Sequence, residues 1–210
     1  MSGRKSPSGT PSAPTRSRIL ATSFKAHAAC YHIHSAIDGI LEIRRRHSLK
    51  PSEVERVQIA LYPAALDLLE KVEPGDPYAA KFNIPFCVAT ALVYGQVGLS
   101  AFTTDRLEDP KIQEIIRRIS LTRDAELGKV YPDRWPAVVE VTTRAGQTHA
   151  ARIDYPKGDP KNPMSQEELL AKFHNLSTPA LTEDQRKRTA EACLQLERFE
   201  NLATFFDDLA

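Results

Sequence analysis

The feature that most limits the fold of this chain is a change of hydrophobic period. Ile33, Ala36, Ile37, Ile40, Leu41 and Ile43 recur at three and four, the spacing of one helix face. Arg44, Arg45 and Arg46 end that stretch, where cations suit the C-terminal end of a helix dipole. After a turn at Pro51 the pattern changes: Val54, Val57, Ile59 and Leu61 read as a strand closed by Pro63. A helix stripe and a strand face must each be buried against another element, so the chain has to layer helices on a sheet.

The later segments extend that pattern. Pro74, Gly75, Asp76 and Pro77 mark a turn, and an apolar helix follows from about Pro85 to Tyr94, ended by Gly95. "LSAFTTDRLED" and "PKIQEIIRRI" are two short amphipathic helices, the second opened by Pro110. "ISLTRD" reads as a strand. Val138, Val139 and Val141 lead into a turn at Ala145-Gly146-Gln147, and Ala150 to Tyr155 return, giving a hairpin with one buried face. Ser165 with Glu168 three residues later is a capping box, and a longer helix begins at Thr182 or Glu183 and runs to Phe199. The expected fold class is α+β: a small mixed sheet with flanking helices, followed by C-terminal helices.

Composition narrows the class of partner. With 28 basic and 27 acidic residues the net charge is +1, which gives no reason to expect nucleic acid or a membrane surface. No apolar run is long enough to span a bilayer. Cys30, Cys87 and Cys193 are far apart and odd in number, and read as reduced thiols of a cytoplasmic protein. Residues 1–18 are rich in Ser, Pro, Gly and basic side chains without an acid, and are expected to be a disordered tail. A presequence shares that composition, but Pro7, Pro11 and Pro14 oppose the amphipathic helix it would form.

The densest chemistry lies in "FKAHAACYHIHSAID", residues 24–38. On an extended strand Cys30, His32 and His34 would face one way as zinc ligands, but no second cluster follows to complete the site. On a helix beginning near His32, His34 and Asp38 stand four apart and can hydrogen-bond, keeping the imidazole near neutrality for proton transfer. An ordinary loop-to-helix junction, with these groups solvated or capping, is the third alternative. Spacing alone favours the junction and leaves all three open.

The same window resembles the MmgE/PrpD family, whose members include 2-methylcitrate dehydratase, cis-aconitate decarboxylase and iminodisuccinate epimerase. Lys25, Cys30, His34 and Asp38 fall on the family's frame. "AKFNIPFCVATALVYGQVGLSAFT" and "YPKGDPKNPMSQEELLAKF" are similar to two further family blocks, in the same order. The resemblance runs from about Ile19 to the C-terminus and matches the C-terminal part of the family's longer chains.

What the resemblance implies is a cofactor-independent lyase, a dehydratase or decarboxylase, or an isomerase. Its substrate would be a small di- or tricarboxylate, attacked by removal of a proton next to a carboxylate, with no metal. Lys25 would supply a cation or proton donor to the substrate and His34 the acid/base. Cys30, at a position that varies between members, would be a pocket wall or auxiliary donor, and Asp38 would orient. Lys81 would bind an anion, its alternative being a solvated lysine before a helix. Phe86 stands where some members carry tyrosine, which removes a hydroxyl from the site. His27 and His32 are assigned no role beyond structure or rim. The implied organisation is an α+β domain over 19–164 and C-terminal helices over 165–210. Leu169, Leu170, Phe173, Leu176, Leu194, Leu196 and Phe199 would there form an apolar stripe that packs on the family's N-terminal helical domain. The chain would then need a separately encoded helical domain or a homodimeric partner for activity. The alternatives are a truncated, non-catalytic remnant and a protein-interaction module.

Overall fold

The structure is a computed structural model that describes residues 18–209. The tail expected over residues 1–18 lies outside them, apart from the backbone of residue 18, which opens a single turn at Arg18–Ala21. The first long element, α1, runs over His34–His47 and buries Ile37, Ile40 and Ile43 with Ala36, the stripe that the period predicts. Full burial of each isoleucine contributes about 1.5–3 kcal/mol, so this face anchors the helix.

The sheet has four strands in the order β2-β1-β3-β4: β1 is Val54–Leu61, β2 Ile119–Arg123, β3 Ala137–Thr143 and β4 Thr148–Ile153. β1 pairs with β2 in parallel and with β3 antiparallel; β3 and β4 form the predicted hairpin, with Thr142 opposite Thr148. Strict alternation along β3 buries Ala137, Val139, Val141 and Thr143 on one face. Helix α1 crosses β3 and β4, and Gly39 makes the approach possible. A Cβ at Gly39 would stand 2.8 Å from Val139 Cγ2.

Between β1 and β2 lie α2 (Pro63–Leu69), α3 (Ile84–Tyr94), α4 (Thr104–Leu107) and α5 (Pro110–Ile116). Helix α3 packs on both α1 and α5. It is buried from Ile84 to Leu92 except at Pro85. The Asn83 side chain caps its start, accepting from Phe86 N at 2.7 Å while donating to the Val72 carbonyl at 2.7 Å. A short α6 (Ala125–Gly128) follows β2.

After β4 come α7 (Gln166–Ser177), α8 (Glu183–Leu194) and α9 (Leu202–Leu209). The expected Ser165–Glu168 capping box forms, and α8, expected to start at Thr182 or Glu183, is capped by a second box of Thr182 with Gln185. The longer helix ends at Leu194, and a separate 3-10 turn covers Leu196–Arg198, so the run does not continue to Phe199 as one helix. Helices α7 and α8 bury no residue. Of the expected stripe, Leu176, Leu194 and Leu196 are exposed, and Leu169, Leu170, Phe173 and Phe199 are half-buried.

Candidate functional site

Residues 22–33 leave the surface as an extended loop and enter α1 through a 3-10 turn at Tyr31–Ile33. An isolated loop of this kind has no ladder to hold it, so its backbone must find partners elsewhere. It finds three. Phe24 N donates to Gly158 O, Ala28 N to Val97 O and Cys30 N to Lys81 O, each at 2.9 Å. The three sequence blocks that share the family's order thus meet at one loop. Gly158 has φ +91, and a Cβ there would lie 1.9 Å from the Phe24 carbonyl oxygen. Only glycine lets the two strands of this contact close.

This pinning ties the loop that carries Lys25 and Cys30 to the backbone of Lys81. Lys25 is exposed, with Nζ 3.4 Å from the Ala29 carbonyl. Cys30 is a half-buried free thiol whose backbone bonds to Lys81. Lys81 Nζ lies 5.8 Å from the ring centres of both Tyr78 and Phe102, within range of a cation–π attraction. Phe86 is elsewhere: it has no accessible surface and packs toward Phe102 in the core. Its side chain therefore builds the core under α3 and presents no face to a ligand.

The histidines sort differently from their spacing. Cys30, His32 and His34 do not alternate on a strand, because the turn and helix rotate them apart. His34 does not pair with Asp38. It is fully buried, its Nε2 donates to Ala29 O at 3.3 Å, and its Nδ1 is buried without a partner. Burial, reinforced by repulsion from His27, lowers its pKa to about 3. A neutral imidazole with no accessible surface cannot exchange protons with a ligand in this arrangement; His34 props the Ala29 carbonyl to which Lys25 also reaches. Asp38 instead accepts from two other segments: Oδ1 meets His27 Nε2 at 2.8 Å, and Oδ2 takes the Lys157 backbone N–H at 2.6 Å. His27, which the sequence left at the rim, is the imidazole with a carboxylate partner. His32 bonds through Nδ1 to the Tyr62 hydroxyl at 2.6 Å. Burial lowers the pKa of His32 and raises that of Tyr62, so the neutral phenol donates and the neutral imidazole accepts.

The MmgE/PrpD C-terminal domain matches this chain over residues 27–196. The chain belongs to the MmgE/PrpD family. Cis-aconitate decarboxylase of Mus musculus is 23% identical over 194 residues, covering 86% of this chain and 36% of that protein. Cis-aconitate decarboxylase of Aspergillus terreus (strain NIH 2624 / FGSC A1156) is 21% identical over 193 residues, 87% of this chain and 39% of that protein. The chain therefore spans less than half the length of these curated relatives. The resemblance read from the three blocks is borne out. Among the described residues no helix is long and apolar enough to cross a membrane.

Two features of this MmgE/PrpD domain escaped sequence reasoning. The His27–Asp38 pair joins residues eleven apart across a loop-to-helix junction, a separation with no helical or strand period. The Lys157–Glu168 ion pair, at 2.8 Å, ties the loop that braces Asp38 to the first turn of α7. A signal for the second was present: Lys157 and Gly158 sit in one of the family blocks, beside the capping box.

Proposed function

We infer that this chain is the C-terminal portion of a lyase that acts on a small di- or tricarboxylic acid. The relatives named cis-aconitate decarboxylase favour loss of carbon dioxide over dehydration or epimerisation. The single observation that carries the reading is the meeting of the three family blocks at the Lys25 loop. Lys25 and Cys30 share that loop, Lys81 accepts from Cys30 N through its backbone carbonyl, and both lysines keep accessible surface.

The chemistry follows from those groups. Breaking a C–H or C–CO2 bond next to a carboxylate leaves an electron pair on carbon, and the developing charge needs cations aimed at the neighbouring carboxylates. Lys25 and Lys81 take that role, and no cofactor is required for it. When carbon dioxide leaves, one proton must be delivered to the carbon. Lys25, with three donors, can deliver it or hold the substrate while a group on the opposite wall does so. Cys30 forms part of the wall.

The opposite wall belongs to a helical domain of the MmgE/PrpD type. Helices α7 and α8, which bury no residue and expose Leu176, Leu194 and Leu196, are the surface on which it docks. The test is to mix the purified chain with a helical domain from a full-length relative and follow carbon dioxide release from cis-aconitate. The mixture turns over and the chain alone does not. Turnover by the chain alone would sink the need for a second domain, and an inert mixture in a stable complex would sink the lyase reading.

A further inference from the structure

Three arginines end α1, and they are not equivalent. Arg46 pairs with Glu42 at 2.9 Å, one turn back on the same helix. Arg45 is exposed and Arg44 half-buried, and neither side chain joins an ion pair or a hydrogen bond among the described residues. Arg44 Nε is wholly buried without a partner. A guanidinium keeps its proton near neutrality, and its five N–H groups need acceptors once water is withdrawn. Gly95, where α3 ends, gives it room: a Cβ there would stand 2.6 Å from Arg44 Nη1.

Arg44 and Arg45 both line a cleft of about 510 Å³, within the range of about 300–1,000 Å³ usual for small-molecule sites. Three carboxylates line it too, and each is engaged elsewhere. Asp38 holds His27 and the Lys157 N–H, Glu42 holds Arg46, and Glu168 holds Lys157 Nζ. What the cleft has left to offer is therefore unused N–H donors that carry positive charge. Lys25, Cys30 and Lys81 do not line it, and neither do the α7 and α8 leucines of the docking surface.

We propose that this cleft is a phosphate-type oxyanion site, in which Arg44 takes two oxygens through its Nε–H and an Nη–H and Arg45 takes a third. A guanidinium fork matches the spacing of two oxygens on one anion, and the whole Arg44 fork is unused. A carboxylate would fill that fork and leave no oxygen for Arg45, whereas a phosphate serves both. The site uses neither lysine of the proposed chemistry and stands apart from the lyase reading.

The test follows the Arg44 Nε–Hε signal by NMR while the 210-residue chain is titrated with inorganic phosphate, chloride being withdrawn to hold the ionic strength. The signal, identified by its loss in Arg44→Lys, shifts and saturates as for one site. Arg44→Lys keeps the charge and loses the fork; it weakens phosphate binding, read from the Gly95 amide, at least about tenfold. Arg45→Gln, at an exposed position that leaves the core intact, weakens it about two- to fivefold. Acetate binds less tightly than phosphate. An Arg44 signal indifferent to phosphate overturns the proposal and leaves the guanidinium only to complement the dipole at the end of α3. Equal phosphate affinity in the wild type and Arg44→Lys also overturns it, and acetate binding as tight as phosphate overturns the third contact. Phenyl phosphate separates the two sources of the group. Tighter binding than inorganic phosphate assigns an ester whose organic part covers Leu41 and Ile153, equal binding assigns the free ion, and either upholds the site.

Discussion

The burial of His34 should make the chain lose stability on mild acidification. In the unfolded chain its imidazole titrates near the ordinary value of about 6.5; in the folded chain burial and His27 lower it to about 3. Below pH 6.5 the unfolded state therefore binds a proton that the folded state refuses, so stability rises with pH across this window and falls as pH drops. The separation, roughly 3.5 pH units at about 1.36 kcal/mol each, sets a limit of about 5 kcal/mol lost near pH 3. Going only from about pH 7.5 to about pH 5 costs about 2 kcal/mol. Urea unfolding at the two pH values, on the wild-type chain and on His34→Gln, isolates this group because glutamine does not titrate. The wild type should lose about 2 kcal/mol more than the variant between the two conditions. Equal losses would refute the assignment of a buried, neutral histidine. So would an NMR titration in which the His34 ring protonates near its ordinary value.

Three further outcomes follow from the loop and its braces. Gly158→Ala forces a Cβ onto the Phe24 carbonyl and should destabilise the fold by about 1–3 kcal/mol, with increased amide exchange at Phe24, measured by hydrogen exchange. Asp38→Asn removes the acceptor charge that joins His27 to the Lys157 N–H; it should cost about 1–3 kcal/mol in denaturant unfolding and shift the Lys157 amide resonance. Ser165→Ala breaks the α7 capping box and should cost about 0.5–2 kcal/mol. Since α7 buries no residue, that cost should appear as faster exchange within α7 while the sheet amides keep their protection.

The elements legible in the sequence are those whose signals are local. Ile33 to Ile43 carries a full helical stripe, and α1 forms there. Val138 to Tyr155 carries alternation on both sides of a glycine turn, and the β3–β4 hairpin forms there. Pro63 misled because proline suits both the end of a strand and the first turn of a helix; it closes β1 and also opens α2. The helix expected to run from Thr182 to Phe199 stops at Leu194. Its apolar residues there, Leu194 and Leu196, are two apart and do not share a helix face.

The site was less legible, for a physical reason. His34 and Asp38 are correctly spaced to pair on α1, but Asp38 is also within reach of His27 and of the Lys157 backbone. Those contacts depend on where the loop and the 156–158 segment are held, and that is fixed by bonds such as Phe24 N to Gly158 O. No local period encodes a contact of such long range. Spacing identified the residues of the window, and tertiary pinning decided which histidine meets the carboxylate.

The central claim is that the Lys25 loop handles the substrate carboxylates. Its most direct test is the steady-state rate of Lys25→Met in the enzyme reconstituted with a helical domain. Methionine keeps an unbranched side chain one atom shorter and removes its charge and donors. The account predicts a fall in kcat/KM of at least about 100-fold, with an unchanged urea midpoint because Lys25 is exposed. A fully active Lys25→Met enzyme would contradict it.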